Sequence, residues 1–105
     1  MTEKYYFYIL EQSDNTKYYG HTNNLKRRLQ DHSNGKVVST RNKRPVQLVY
    51  FEEFNTRSEA FRREQQFKNG KTRKKKIQDL ISSFPREKCQ GFNSARCLRS
   101  LTFRK

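Results

Sequence analysis

The chain has 105 residues, with 24 Lys+Arg against 10 Asp+Glu, a formal charge of +14, and only 31% apolar residues. That length holds one small domain with a modest core, and that charge makes a polyanion the expected partner, nucleic acid first, with binding that weakens as salt rises. The composition excludes a membrane-spanning helix, since no apolar run is long enough, and a zinc site, since Cys89 and Cys97 stand alone at a spacing that is not CxxC and read as reduced thiols.

No basic amphipathic helix with Trp or Leu anchors points to a membrane surface, and nothing calls for a small-molecule organic cofactor. The start, "MTEKYYFYIL", has neither a basic n-region nor a small-residue cleavage site, so the chain reads as cytoplasmic and nucleoid-associated.

Residues 4–10, "KYYFYIL", are rich in β-formers and predict a strand. "SDNT" is turn chemistry: short polar side chains that bond their own backbone and accept left-handed conformations. "KYYGHT" is a second strand, giving an antiparallel hairpin. Along the first strand Tyr6, Tyr8 and Leu10 share one face, and Tyr5, Phe7 and Ile9 share the other. Tyr8 and Tyr18 fall on a common face only if the turn between the strands holds an odd number of residues. A two-residue loop at Asp14-Asn15 would separate them.

From Thr22 the period changes to that of a helix, capped by Thr22, Asn23 or Asn24, running to about residue 34 and stopped by Gly35. "KVVSTRNKR" reads as a basic loop and "VQLVYFEEF" as the clearest strand. Thr56-Arg57-Ser58-Glu59 matches the capping box of a second helix that Gly70 ends. Thr72 can cap a third helix, "RKKKIQDLISS", which Pro85 terminates. The expected fold is α/β, a small three-stranded antiparallel sheet flanked by helices in the order β-β-α-β-α-α, spanning residues 1–84. Residues 85–105 are expected to be a poorly ordered basic tail.

Two helices carry polar groups where a core should be. Leu25, Leu29 and His32 lie on one stripe of the first helix, and Arg28 lies on it too. The second helix has Ala60, Phe61, Phe67 and Lys68 along its inner stripe with Glu64 in the middle. An inward charge must be paired or used. One reading is a buried Arg28–Glu64 ion pair bracing the helices, with His32 a hydrogen-bonded core residue. The other makes Glu64 a ligand for Mg²⁺, a hard cation that takes one or two carboxylates plus phosphate. Tyrosines clustered beside Arg, Glu and His then suggest phenols aimed at that phosphate.

Taken together and in order, these residues resemble the GIY-YIG nuclease superfamily, and among its members the compact stand-alone bacterial type, whose fold is that of the catalytic domain of excision-repair endonucleases. Tyr6-Phe7-Tyr8 stands at the first motif, with Tyr6 in place of glycine. Tyr18-Tyr19-Gly20 stands at the second, with Tyr19 in place of isoleucine. The resemblance runs from about residue 5 to 81. It places the catalytic arginine at Arg28, a following histidine at His32 and the metal-binding glutamate at Glu64.

The resemblance implies an Mg²⁺-dependent endonuclease, with Mn²⁺ able to substitute, that cuts DNA phosphodiesters in repair or recombination by structure or weak sequence preference. RNA is not excluded. Tyr8, Tyr18, Arg28, His32 and Glu64 are the candidate catalytic set, and Tyr8 and His32 both stand as candidate general bases. Lys26, Arg27, Arg41, Lys43, Arg44, Lys68, Lys71, Arg73, Lys74, Lys75 and Lys76 would track the phosphate backbone without reading bases. The rival reading is a non-catalytic nucleic-acid-binding module of the same fold. A basic ribonucleoprotein component would explain the charge but not the inward Glu64.

Overall fold

The computed structural model describes residues 4–70 and 72–90. Three strands, β1 (Tyr5–Glu11), β2 (Lys17–Thr22) and β3 (Gln47–Phe54), form one antiparallel sheet in the order β2-β1-β3. The helices are α1 (Leu25–Ser33), α2 (Val38–Arg41), α3 (Arg57–Lys68), α4 (Lys74–Ser83) and α5 (Arg86–Gln90). The three strands and three main helices match the sequence reading. Two short helices add to it.

The hairpin turn settles the tyrosine question. Glu11 pairs with Lys17, so residues 12–16 form the loop, an odd number, and Leu10 sits opposite Tyr18. The loop is held by Asp14, whose Oδ1 accepts from the Thr16 backbone N–H at 3.1 Å and hydroxyl at 2.5 Å, and by Asn15 at φ 71°. A bulge follows in β3: Ile9 pairs with Tyr50 but Leu10 with Leu48. The extra residue, Val49, lets Leu48 and Tyr50 point to opposite faces.

The core is accordingly divided by the sheet. Tyr8, Leu10 and Leu48 pack with Leu25 and Leu29 of α1 on one face. Phe7, Ile9 and Tyr50 pack with Phe67 of α3 and Ile77 of α4 on the other. Tyr19 stacks there on Phe7 with ring centroids 6.5 Å apart.

The caps follow the sequence closely. Asn24 caps α1, its Oδ1 accepting from the Arg27 N–H at 3.1 Å. Gly35 takes φ 78° after that helix, the left-handed residue at which it stops. Thr56 and Glu59 form the full capping box of α3. α4 differs: its cap is Arg73, not Thr72, with no side-chain hydrogen bond.

The basic loop contains α2, a single turn whose Thr40 is fully buried. The chain also keeps packing beyond residue 84. α5 lies against β3, and Cys89 joins the Tyr8 side of the core at 6% exposure. Its burial pushes the thiol pKa up to about 11. The rest of the expected tail, residues 91–105, lies outside the described residues, as do Cys97 and Lys71. Among the described residues no helix is long and apolar enough to cross a membrane.

Candidate active site

On the α1 face the sheet and helix bring four of the predicted residues together. Tyr8 projects from β1 and Tyr18 from β2, with ring centroids 6.3 Å apart. His32 meets Tyr8 at 5.9 Å and Tyr18 at 5.0 Å, both edge to face. Arg28, one turn before His32, stands beside the phenols of Tyr8 and Tyr18 and interacts with both.

Tyr8 Oη lies 3.0 Å from His32 Nε2, and His32 Nδ1 lies 2.8 Å from Thr40 Oγ1, so both ring nitrogens of His32 are hydrogen-bonded. The chain Arg28–Tyr8–His32–Thr40 is a single polar string through an apolar core, with Tyr8, His32 and Thr40 fully buried.

Burial, then the neighbouring Tyr18, holds the Tyr8 phenol well above its ordinary pKa, so Tyr8 stays protonated. Burial and the Arg28 charge pull His32 down to about 4. For Arg28, burial acts to lower the pKa, but the bonds to Tyr8 and Tyr18 outweigh it and the guanidinium stays charged.

The His32 shift has a consequence for stability. Unfolded histidine takes up a proton near 6.5 and the folded residue only near 4, so between these values the unfolded state binds more protons. The contribution is complete above about pH 6.5 and is lost as pH falls toward 4, a difference worth about 3 kcal/mol. Denaturant unfolding at pH 7 and 4.5 should show this loss, and His32→Gln should flatten it. A profile equally steep in the variant would refute a buried neutral His32.

Gly20 is the second residue that this cluster depends on. A Cβ there would fall 2.6 Å from Tyr8 Oη and 2.7 Å from its Cζ. The Tyr8 ring lies flat over the strand because nothing projects from it. Gly20→Ala should therefore push Tyr8 off His32, destabilise the fold by about 1–3 kcal/mol and lower the melting temperature accordingly. An unchanged melting temperature would mean that Tyr8 moves freely.

Glu64 reaches the site from α3 and is 6% exposed. It does not pair with Arg28. His21 Nδ1 lies 2.6 Å from its Oε1, and Lys68 Nζ lies 2.7 Å from its Oε2. Lys68 also sits 6.0 Å over the Tyr18 ring, linking Glu64 to the phenol cluster. The inner stripe of α3 is Ala60, Glu64 and Phe67. Phe61, expected on it, is 48% exposed and instead lays its ring edge to face with His21 at 5.6 Å.

His21 and Thr40 were not among the predicted residues. Strand alternation could have found His21, since it shares the Tyr19 face that α3 covers. Nothing in the local pattern marks Thr40.

A polar pocket of about 170 Å³ opens beside these groups, lined by His21, Asn24, Arg27, Arg28, Asp31 and Arg57 among others. Lys26 and Arg27 are exposed on α1, and Lys43 lies near the hairpin turn, 3.7 Å from Asp14. Arg41 and Arg44 are partly committed to the fold: Arg41 Nε donates to Gly35 O at 3.1 Å, and Arg44 to Ser33 O at 3.1 Å. Both brace the C-terminus of α1, where cations suit the helix dipole. Arg73 and Lys74–Lys76 are exposed at the start of α4, whose Ile77 packs on the opposite face of the sheet.

Residues 4–78 match the family model described as the GIY-YIG catalytic domain. The chain belongs to the GIY-YIG family. It is 46% identical to a UPF0213 protein of Pediococcus pentosaceus, over 72% of this chain and 80% of that one. It is 49% identical to a UPF0213 protein of Streptococcus agalactiae, over 69% and 82% respectively. A solution NMR structure of a UPF0213 protein from Bacillus halodurans is 35% identical over 75% of this chain and 83% of that one, with a TM-score of 0.48.

Membership in the GIY-YIG family points to a nuclease acting on nucleic acid, and nucleases of this family typically use a divalent metal. The donor set at Glu64 fits a hard cation in its simplest form: one buried carboxylate, bonded to a histidine that lines a pocket with Arg27, Arg28 and Arg57. Among the described residues no group of three or more His, Cys, Asp or Glu side chains could hold a metal.

Proposed function

We propose that this GIY-YIG protein is a metal-dependent endonuclease that hydrolyses DNA phosphodiester bonds, selecting by structure or weak sequence preference, in repair or recombination. The observation that carries the reading is the buried Glu64 carboxylate bonded to His21, a residue that lines a pocket together with Arg27 and Arg28. A module that only binds DNA gains nothing from an inward carboxylate close to phosphate.

Each residue has a role that its environment supports. Arg28 meets the scissile phosphate and neutralises charge that builds on its oxygens. Tyr18, half-buried, is the phenol that solvent reaches, and it orients the attacking water or the phosphate. Tyr8 and His32 offer no atom to solvent, being fully buried. As general bases they would need the pocket to open; as supports for the Arg28 fork they are already placed. We therefore assign both to positioning.

Glu64 would hold the divalent metal, Mg²⁺ or Mn²⁺, which would supply positive charge to the reacting phosphate. Lys26, Arg27, Lys43, Arg73 and Lys74–Lys76 give non-specific contacts along the backbone, and a chain so bound would reside at the nucleoid.

The test is nicking of supercoiled plasmid and cutting of forked and branched DNA by the purified protein in Mg²⁺, against EDTA and against RNA of the same sequence. Binding to these substrates with no cutting in Mg²⁺ or Mn²⁺ would overturn the nuclease reading in favour of a binding module.

A further inference from the structure

We infer that His21 is a second protein ligand to the metal, and that the His21–Glu64 pair selects first-row transition ions such as Mn²⁺ over Mg²⁺. The inference rests on the proposed metal role of Glu64 and goes beyond it. The geometry is specific. Lys68 holds Glu64 Oε2 at 2.7 Å, which turns Oε1 toward His21 Nδ1 at 2.6 Å. An octahedral ion with bonds of about 2.1 Å sets neighbouring ligand atoms about 3 Å apart. An opening of a few tenths of an ångström, with a turn of the imidazole that takes Nδ1 off the N···O line, therefore lets one ion touch both atoms while Lys68 stays in place.

The surroundings suit such a site. The Glu64 side chain is 8% exposed and that of His21 21%, so the carboxylate is walled in and the imidazole stands at its mouth. His21 also lines the polar pocket with Arg27 and Arg28, which puts phosphate within reach of the same ion. Phe61 packs edge to face on the ring and limits its swing. A neutral imidazole offers Nδ1 once its proton sits on Nε2. An imidazole nitrogen raises affinity for first-row transition ions, least for Mn²⁺ and more for the later ones, whereas Mg²⁺ gains little from nitrogen. Two protein ligands, with water and phosphate filling the rest, also agree with the absence of any three-residue cluster among the described residues.

Pulsed EPR on the Mn²⁺-loaded protein should show ¹⁴N coupling that is lost in His21→Ala and in His21→Gln. The glutamine variant keeps a hydrogen bond to Glu64 and so separates ligation from packing. Calorimetric titration should show Mn²⁺ binding weakened by about tenfold or more in both variants, with Mg²⁺ binding changed far less. The inference is overturned if Mn²⁺ binds without nitrogen coupling, if it does not bind, or if removing His21 strengthens both ions alike, which would make His21 a competitor. Glu64→Gln separates the two readings. If it abolishes binding of both ions while the His21 variants change neither, the Glu64 assignment stands and the His21 ligand fails. If it leaves binding intact, the Glu64 assignment itself fails.

Discussion

Arg28→Ala should slow DNA cleavage by about a thousandfold, the order of loss seen when an arginine that stabilises a transferring phosphoryl group is removed. DNA affinity should change only a few-fold, because Arg28 is one cation in a chain with 24 Lys+Arg. The separation follows from where the guanidinium sits. It is not an exposed electrostatic contact like Lys26 or Arg27; it is half-buried beside the phenols of Tyr8 and Tyr18 at the wall of a polar pocket. Arg28→Lys restores the charge but not the fork that meets two phenols and a phosphate at once, so it should recover little of the rate. Single-turnover cleavage and filter binding at one salt concentration measure the two effects. If affinity falls in step with rate, Arg28 is a binding residue and not a catalytic one.

The fold could be read almost entirely from local chemistry, and the reasons are visible. The turn residues around Asp14, the Asn24 cap, the Thr56–Glu59 box and the glycines at 35 and 70 each act within four residues of themselves, so the sequence shows both partners. Strand alternation and helix spacing place Tyr8, Tyr18, Arg28 and His32 on one face once the turn is known to hold an odd number of residues. What escaped depends on distant packing. Thr40 lies in a stretch with no strand or long-helix period, and its burial is decided by His32 above it. Phe61 looks apolar and inward by spacing, yet α3 is rotated so that Ala60, Glu64 and Phe67 face the sheet, and the phenylalanine is left beside His21. The Arg28–Glu64 pairing failed for a related reason. Arg28 belongs to the face that α1 covers, where two phenols satisfy it, whereas Glu64 comes from the helix on the other face and finds His21 and Lys68 first.

Glu64→Gln should abolish metal-dependent cleavage, a loss of about a thousandfold or more, since the ion's share of transition-state stabilisation is several kcal/mol. The variant should still fold. Glutamine keeps the shape, accepts from Lys68 through its carbonyl and leaves His21 and Lys68 able to turn to water, because their side chains are 21% and 44% exposed. The cost is about 1–2 kcal/mol, since glutamine keeps a hydrogen bond in the buried site, within reach of a melting curve but short of unfolding. DNA binding is the informative contrast. Deleting a carboxylate that faces phosphate removes a repulsion, so the variant should bind DNA as tightly as the parent or more so while failing to cut it. A variant that binds more weakly would place Glu64 in the scaffold, acting through Lys68 on the DNA. A variant that still cuts would remove the metal from this position altogether, and with it the reason for burying a lone acid in so basic a protein.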